Sequence, residues 1–205
     1  PDRDRLMVRS ASIQQGKLGI AIERAKQAVK AYPSDFGLRL SLVELLRVEQ
    51  DQKAQDKRDY KESLAKAKAL VKDNPDRVEA LVAQADVLLR MNRSEQAEAE
   101  LKKALAFAPG HFGANERMAR VKLAQAIQLT NRDRDASQEL AREALTTLSM
   151  LIEGRPNNAA LLQAAGQAAQ VAGLPAQTVD YYRRAFEAAK TEERLATYVT
   201  ALLSA

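Results

Sequence analysis

Residues 76–109 read DRVEALVAQADVLLRMNRSEQAEAELKKALAFAP, and this stretch decides the fold. Its apolar residues recur at intervals of three and four, the spacing of one face of a helix. We predict one helix over 78–92, a turn at Asn92-Arg93, and a second helix over 94–108. Ser94 is the predicted N-cap, because its hydroxyl can accept from free backbone N–H groups. The apolar positions are Leu81, Ala85, Leu88 and Leu89 in the first helix, and Ala97, Leu101, Ala104 and Leu105 in the second.

Proline recurs along the chain between apolar stretches of this kind. A proline ends a helix because its ring clashes with the preceding turn and it lacks an N–H group. Spacings in the thirties and forties are typical of helical repeats, whose hairpins bury their apolar faces against neighbouring hairpins. The prolines are Pro1, Pro33, Pro75, Pro109 and Pro156, separated by 32, 42, 34 and 47 residues.

The 76–109 segment resembles a tetratricopeptide repeat (TPR). It has the family's alternation of large and small residues at helix crossings, through Leu81, Ala85, Leu88, Ala97, Leu101, Ala104 and Pro109. The segment 157–190 fits nearly as well through Leu162, Gly166, Ala169, Gly173, Tyr182 and Ala185, although Thr178 replaces an alanine and Lys190 the closing proline. The first unit fits through Met7, Ala11, Gly16, Ala21, Ala25, Ala28 and Pro33.

The resemblance implies an all-α, right-handed α-solenoid of about five TPR-like helix-turn-helix repeats plus a C-terminal helix. We predict a single repeat domain over 1–205, with units at 1–33, 34–75, 76–109, 110–156 and 157–190, and a terminal helix over 191–205. That helix is either a cap or the first helix of a sixth repeat. Because Pro1-Asp2-Arg3 repeats Pro75-Asp76-Arg77, we expect the chain to be a fragment of a longer array.

Composition excludes several kinds of chemistry. The 205 residues include no cysteine and one histidine, so disulfides, thiol catalysis and Cys-based zinc sites are excluded. His111 has no second histidine to form a metal or acid–base pair, and we expect a structural role or simple exposure. The formal net charge is +5, but acids and bases alternate, unlike the clustered charge of nucleic-acid-binding surfaces. We therefore predict that the chain is not an enzyme and has no cofactor or metal site.

Repeats of this family bind partners on a concave surface lined by their first helices. No equivalent position supplies the Lys–Asn pair with which one branch of the family clamps a chaperone's carboxylate tail, so that partner is not expected. The resemblance predicts these binding positions: Leu40, Glu44 and Arg47 in unit two; Glu79, Val82, Asp86, Leu89 and Arg90 in unit three; Glu116, Arg120 and Leu123 in unit four; Gln163, Gln167 and Gln170 in unit five.

These positions allow alternatives that the sequence leaves open. Gln163, Gln167 and Gln170 share one helix face, where they could hydrogen-bond a peptide or polysaccharide or form an ordinary solvated surface. The charged positions could contact a ligand or pair with each other instead. This second alternative concerns Glu44, Arg47, Asp86, Arg90 and Arg120.

Two units contain extra residues between their helices, near 50–62 in unit two and 126–139 in unit four. If both helices of each hairpin are lengthened, the hairpins project from the array and can form a binding edge. The alternative is a tolerated surface extension. Each insert balances acids against bases, which argues against phosphate binding.

Aromatic residues are predicted to fill the junctions between repeats and to hold the last helix. Tyr32, Phe36, Phe107 and Phe112 flank the closing prolines and are expected in the junctions. Three more, Tyr181, Tyr182 and Phe186, are expected to pack against the terminal helix.

These features predict a protein–protein interaction scaffold that binds a peptide or helix in the concave groove or on the extended hairpins. The alternative is a periplasmic repeat segment of a bacterial polysaccharide-export, secretion or pilus-assembly system, for which a polysaccharide is a candidate ligand. A nucleic-acid-binding helical array is motivated only by the net positive charge. The sequence leaves cytoplasm and bacterial periplasm open as compartments, and it does not identify the partner or the oligomeric state.

Overall fold

The computed structural model describes residues 17–204, which form α-helices and one short 3-10 helix, Gln55–Lys57, without a strand in that range. The predicted positions Met7, Ala11 and Gly16, and the Pro1 segment, lie outside the described residues. The helices are α1 Leu18–Ala31, α2 Phe36–Asp51, α3 Lys61–Asp73, α4 Val78–Arg90, α5 Ser94–Phe107, α6 Phe112–Leu129, α7 Arg134–Gly154, α8 Ala159–Val171, α9 Pro175–Ala188 and α10 Glu192–Ser204.

The helices divide into two compact units, with the boundary between Pro109 and Gly110. In the first unit each helix from α1 to α5 packs on the next, and the first helices α2 and α4 also touch each other. The second unit repeats this arrangement from α6 to α10, with α6 against α8. Within each unit, therefore, successive antiparallel hairpins stack through their first helices, which confirms the predicted all-α helical-repeat fold.

Alanine and leucine form the core of both units. One cluster in the first unit joins α1 to α2 through Ala21, Ile22, Ala25, Leu42, Leu45 and Leu46. In the second unit α8 is buried around most of its circumference, and its buried residues include Leu161, Leu162, Ala164, Ala165, Ala168 and Ala169. Small residues let helix axes approach closely while leucines fill the gaps beside them.

The turns between hairpins share a construction. Pro33, Pro109 and Pro156 each lie in a loop, and the residue two positions later caps the next helix with its side chain. The three caps are Asp35, accepting from the Leu38 N–H at 2.9 Å; His111, whose Nδ1 accepts from the Ala114 N–H at 3.1 Å; and Asn158, accepting from the Ala160 and Leu161 N–H groups at 3.1 and 3.2 Å. His111 thus has a structural role.

The prediction that Ser94 is an N-cap is wrong, because the preceding turn is tighter than expected. Asn92 adopts a left-handed φ of 57°, and the Arg93 N–H donates to the Leu88 carbonyl at 2.9 Å. This bond closes α4 as a Schellman-type ending, so Arg93 occupies the cap position and Ser94 is already helical. The α8–α9 turn is built in the same way around Gly173, whose φ is 73°.

Two phenylalanines pack against arginines from a later loop instead of filling a purely apolar junction. The Arg77 guanidinium lies 4.7 Å from the Phe36 ring centroid, and Arg155 lies 3.7 Å from Phe112. By contrast, Tyr32 and Phe107 are 45% and 59% exposed, so the prediction that they fill junctions is wrong.

The α8–α9 hairpin depends on one close approach. A Cβ atom at Gly166 would lie 2.6 Å from two ring carbons of Tyr182, so the ring occupies the space that any side chain there would need. The Tyr181 hydroxyl hydrogen-bonds the Ser149 hydroxyl of α7 at 2.9 Å. Tyr181 and Tyr182 thus contact the preceding helices α7 and α8, contacts that the prediction of packing against the terminal helix did not include.

The two inserts differ in structure. In unit four the extra residues extend the helices to 18 residues in α6 and 21 in α7, as predicted. In unit two that prediction is wrong, because α2 ends at Asp51 and residues 52–60 form a loop with the 3-10 turn.

A hydrogen-bonded network around Asp51 anchors this loop. The Asp51 carboxylate accepts from the Tyr60 hydroxyl at 2.6 Å and from Arg47 Nη1 at 2.7 Å. Arg90 Nε of α4 lies 3.4 Å from Asp51 Oδ2. The Arg58 guanidinium donates to the backbone carbonyls of Lys53 and Asp51 at 3.0 and 3.1 Å. These contacts hold the insert against the ends of α2 and α4.

The network changes the acidity of Tyr60. Burial raises the pKa of the Tyr60 phenol above its ordinary value of about 10, and the hydrogen bond to Asp51 raises it further. Because the pKa in the folded state exceeds that in the unfolded state, the Tyr60 contribution to stability is complete below about pH 10. It is lost as the pH rises through the folded-state pKa.

We predict that Gly166→Ala lowers the free energy of unfolding by about 1–3 kcal/mol, because the new methyl group collides with the Tyr182 ring. Urea denaturation followed by circular dichroism measures the change. The matched control is Gly19→Ala in α1, where no atom lies within 4 Å of the added Cβ. That variant is expected to gain about 0.5–1 kcal/mol through helix propensity, and equal responses of the two variants would contradict the steric argument.

We predict that Asp51→Asn shifts the titration of Tyr60 to lower pH, because the negative charge that opposes tyrosinate formation is removed. Subtracting the near-ultraviolet titration of the corresponding Tyr60→Phe protein isolates the Tyr60 signal in each background. Asp56→Asn, at an exposed position in the same insert, is the control. A Tyr60 titration that moves as far in the control as in Asp51→Asn would remove the proposed role of Asp51.

Candidate functional site

In the first unit the predicted binding residues lie on the neighbouring helices α2 and α4. The structure brings Arg47 and Arg90 together at the Asp51 carboxylate, with the distances given above. Glu44 and Glu79 are exposed, whereas Leu40 and Asp86 are half-buried. In the first unit, therefore, ion pairs to Asp51 hold two of the predicted residues, Arg47 and Arg90, at the ends of α2 and α4 that meet the insert.

Two predicted positions do not belong to an exposed face. Val82 is 8% exposed and Leu123 is 5% exposed, so both are buried. Leu123 packs in the core cluster that includes Leu161 and Leu162 of α8. The prediction that these two side chains face a ligand is wrong because their helices are buried around more of their circumference than one apolar stripe implies.

A cleft of about 460 Å³ opens between the insert and the C-terminal end of α4. We call it the insert cleft. Leu89 and Arg90 are the predicted binding residues within it. Three cationic side chains and one carboxylate line it, beside the apolar side chains of Leu89 and Met91. Its lining residues are Gln55, Arg58, Asp59, Tyr60, Lys61, Leu89, Arg90, Met91 and Asn92.

In the second unit the predicted residues lie on α6 and α8. Arg120 donates through Nε and Nη2 to Glu116 Oε1 at 3.2 and 3.1 Å, an i,i+4 ion pair on α6. Arg120 thus pairs with another predicted residue, whereas Arg47 and Arg90 pair with Asp51, which was not in the predicted set. Each of the three arginines has a carboxylate within 3.4 Å, and Arg47 and Arg90 share theirs.

The three glutamines of α8 have different environments. Gln167 and Gln170 are exposed, and Gln170 Oε1 accepts from the Tyr182 hydroxyl at 3.2 Å. Burial raises the pKa of Tyr182, so this hydroxyl remains a donor through neutral pH. Gln163 is half-buried, and within residues 17–204 its enclosed Oε1 has no hydrogen-bond donor. We call Gln163, Gln167 and Gln170 the glutamine row. It therefore contains one acceptor, Gln163 Oε1, that makes no hydrogen bond within the described residues.

Sequence reasoning missed Asp51 and Tyr60 as organisers of the first-unit site. Asp51 follows Arg47 by four residues, which is a pairing distance on a helix, and Tyr60 is an isolated aromatic in a charged insert. Those signals identify candidates, but they do not show that both side chains meet Arg90 from another hairpin.

Within residues 17–204, His, Asp and Glu side chains form no group of three that could hold a metal ion. Nor does any described helix combine the length and the apolar character needed to cross a membrane.

Comparison with known proteins identifies the fold. No family model and no curated protein sequence matches the chain. Among solved structures, it is similar to TTC0263, a thermophilic TPR protein of Thermus thermophilus, with a TM-score of 0.68 and 17% identity over 98% of both chains. It is similar to YrrB, described as a TPR protein with an unusual peptide-binding site, with a TM-score of 0.60 and 14% identity over 98% of this chain and 87% of that chain.

A third similar structure is MamA from Desulfovibrio magneticus RS-1, with a TM-score of 0.56 and 18% identity over 78% of this chain and 89% of that chain. Two of these three proteins are described as TPR proteins, and this chain is an all-helical array of hairpins within each of its units. The chain therefore has the tetratricopeptide-repeat fold.

Proposed function

We propose that this protein is an interaction scaffold that binds a peptide segment of a partner along the first helices of its hairpins. The repeat fold supports this function, because it presents the exposed polar residues of its first helices in rows. The similar YrrB structure is described as having a peptide-binding site, which supports the same ligand class here.

The observation that carries the proposal is the unused acceptor on Gln163. An enclosed polar atom without a partner costs about 1–3 kcal/mol relative to a satisfied one. A peptide N–H group can bond Gln163 Oε1 when the glutamine side chain rotates outward, and binding then recovers this free energy. The unpaired acceptor therefore favours a ligand that carries N–H donors.

The spacing of Gln163 and Gln167 fits an extended backbone. Gln163 and Gln167 are four residues apart, a rise of about 6 Å along α8. Alternate residues of an extended chain are about 6.6 Å apart, so the Gln163 and Gln167 amides can meet alternate peptide units. Gln170 follows Gln167 by three residues, a rise of about 4.5 Å, and does not share this spacing. Gln167 and Gln170 are exposed, which leaves this line accessible.

We predict that Gln163→Leu weakens binding of peptides selected from a displayed random library by at least about tenfold. The same substitution leaves the free energy of unfolding unchanged or raises it, because it removes an unsatisfied acceptor. Fluorescence anisotropy gives the affinities and urea denaturation gives the stability. Loss of binding together with retained stability identifies a ligand-contacting residue.

The matched control is Gln177→Leu, at an exposed position of α9 in the same hairpin. It is expected to leave peptide affinity within about twofold of the wild type. If both variants lose affinity equally, or if Gln163→Leu destabilises the fold, the glutamine row is not the binding surface. Selective binding of a polysaccharide instead of any peptide would also overturn the proposal.

A further inference from the structure

The insert cleft has more cationic than acidic residues in its lining. Arg58, Lys61 and Arg90 line it, against the single carboxylate of Asp59. The charges of Glu49 and Lys53 at the start of the insert lie 3.9 Å apart and offset each other. The insert as a whole balances acids and bases, but in the folded chain three cationic residues and one acidic residue line the cleft.

Arg58 keeps its charge available although its position is fixed. Its described hydrogen bonds go to two backbone carbonyl oxygens, those of Lys53 and Asp51, and neither acceptor carries a formal charge. A guanidinium has five N–H donors, so two bonds leave others for a ligand. Arg58 is therefore held in place by neutral acceptors and can still attract an anion.

Arg90, at the end of α4, lines the same cleft as Arg58. Its side chain is 54% exposed, and its contact with Asp51 is shared, since that carboxylate also accepts from Arg47 and Tyr60. One carboxylate cannot neutralise two guanidinium groups. Lys61 adds a third cation; its side chain is 85% exposed, and its Nζ lies 3.7 Å from Asp59 Oδ2, a solvent-exposed ion pair that a ligand carboxylate can replace.

The remaining lining of the cleft favours a peptide over a nucleic acid. Leu89 and Met91 provide apolar surface beside the cations, which suits an aliphatic side chain. Tyr60, the aromatic residue of the lining, is 5% exposed, and its hydroxyl is bound to Asp51. Its ring is therefore not available for the base stacking on which single-stranded nucleic-acid binding depends.

We propose that the insert cleft binds an acidic peptide segment in which Asp or Glu alternates with aliphatic residues. The acidic side chains pair with Arg58, Arg90 and Lys61, and an aliphatic side chain packs on Leu89 and Met91. This inference rests on the proposed protein-binding function, but it concerns a different unit of the chain and names the chemistry of the partner.

The test uses the full chain and three fluorescent probes, followed by anisotropy at low and high salt. The first probe is a peptide of alternating Glu and Leu with acetylated and amidated ends. The second replaces Glu with Gln, and the third is a single-stranded oligouridylate. We expect the Glu–Leu peptide to bind at least about tenfold more tightly than the Gln–Leu peptide, and salt to reduce this difference.

Arg90→Gln and Lys61→Gln are each expected to weaken binding of the Glu–Leu peptide by about fivefold, the size of an exposed ion pair. Lys61→Gln changes an exposed side chain outside the Asp51 network, so it tests the cleft without disturbing the fold. Lys66→Gln, at an exposed position of α3, removes the same charge elsewhere in the unit and is expected to have no effect.

An equal loss in Lys66→Gln would overturn the proposal, because it would indicate non-specific charge attraction. Preferential binding of oligouridylate, weakened by Arg90→Gln, would overturn it in favour of a nucleic-acid groove. If library peptides depend on Gln163 while the Glu–Leu peptide ignores Arg90→Gln, the cleft proposal alone fails. If the Glu–Leu peptide depends on Arg90 and no library peptide depends on Gln163, the glutamine row fails and the cleft stands.

Discussion

Close approach of helices across alanine and glycine is the constraint on which the rest of the structure depends. Gly166 shows it most directly, because the Tyr182 ring occupies the space of the missing side chain. Ala25 on α1 and Ala168 on α8 are fully buried in the core clusters of their units. When small residues fill the contacts, each hairpin buries its apolar face against its neighbours, and polar residues of the first helices remain for recognition.

The two inserts show how the same hairpin accommodates extra residues in different ways. In unit four the helices lengthen, and the Ser137 hydroxyl fastens the turn by donating to the Ala126 carbonyl at 2.7 Å. In unit two the helix stops at Asp51, whose carboxylate gathers Arg47, Tyr60 and Arg90. The first insert therefore places charged side chains at the end of its hairpin. The second lengthens α6 and α7 and so extends the helical surface of its hairpin.

Each candidate surface depends on a polar group that the fold satisfies only in part. One has no hydrogen-bond partner, and the other is a cation that is bonded only to neutral acceptors. Gln163 Oε1 is enclosed but has no donor within the described residues, and Arg58 donates to carbonyl oxygens that leave its charge in place. A folded protein usually satisfies such groups internally. Where it does not, a ligand can supply what is missing, and this reasoning connects the glutamine row to peptide N–H groups and the insert cleft to carboxylates.

The sequence by itself determined the helices, their pairing into repeats and the close contacts at small residues, because periodicity and proline placement are local signals. It also placed Gln163, Gln167 and Gln170 on one helix face. It did not predict that Val82 and Leu123 are buried, that Ser94 lies inside its helix, or that the first insert is a loop. Only the tertiary structure brings Asp51 to Arg90 of the next hairpin, since contacts between residues distant in the chain depend on how the hairpins pack.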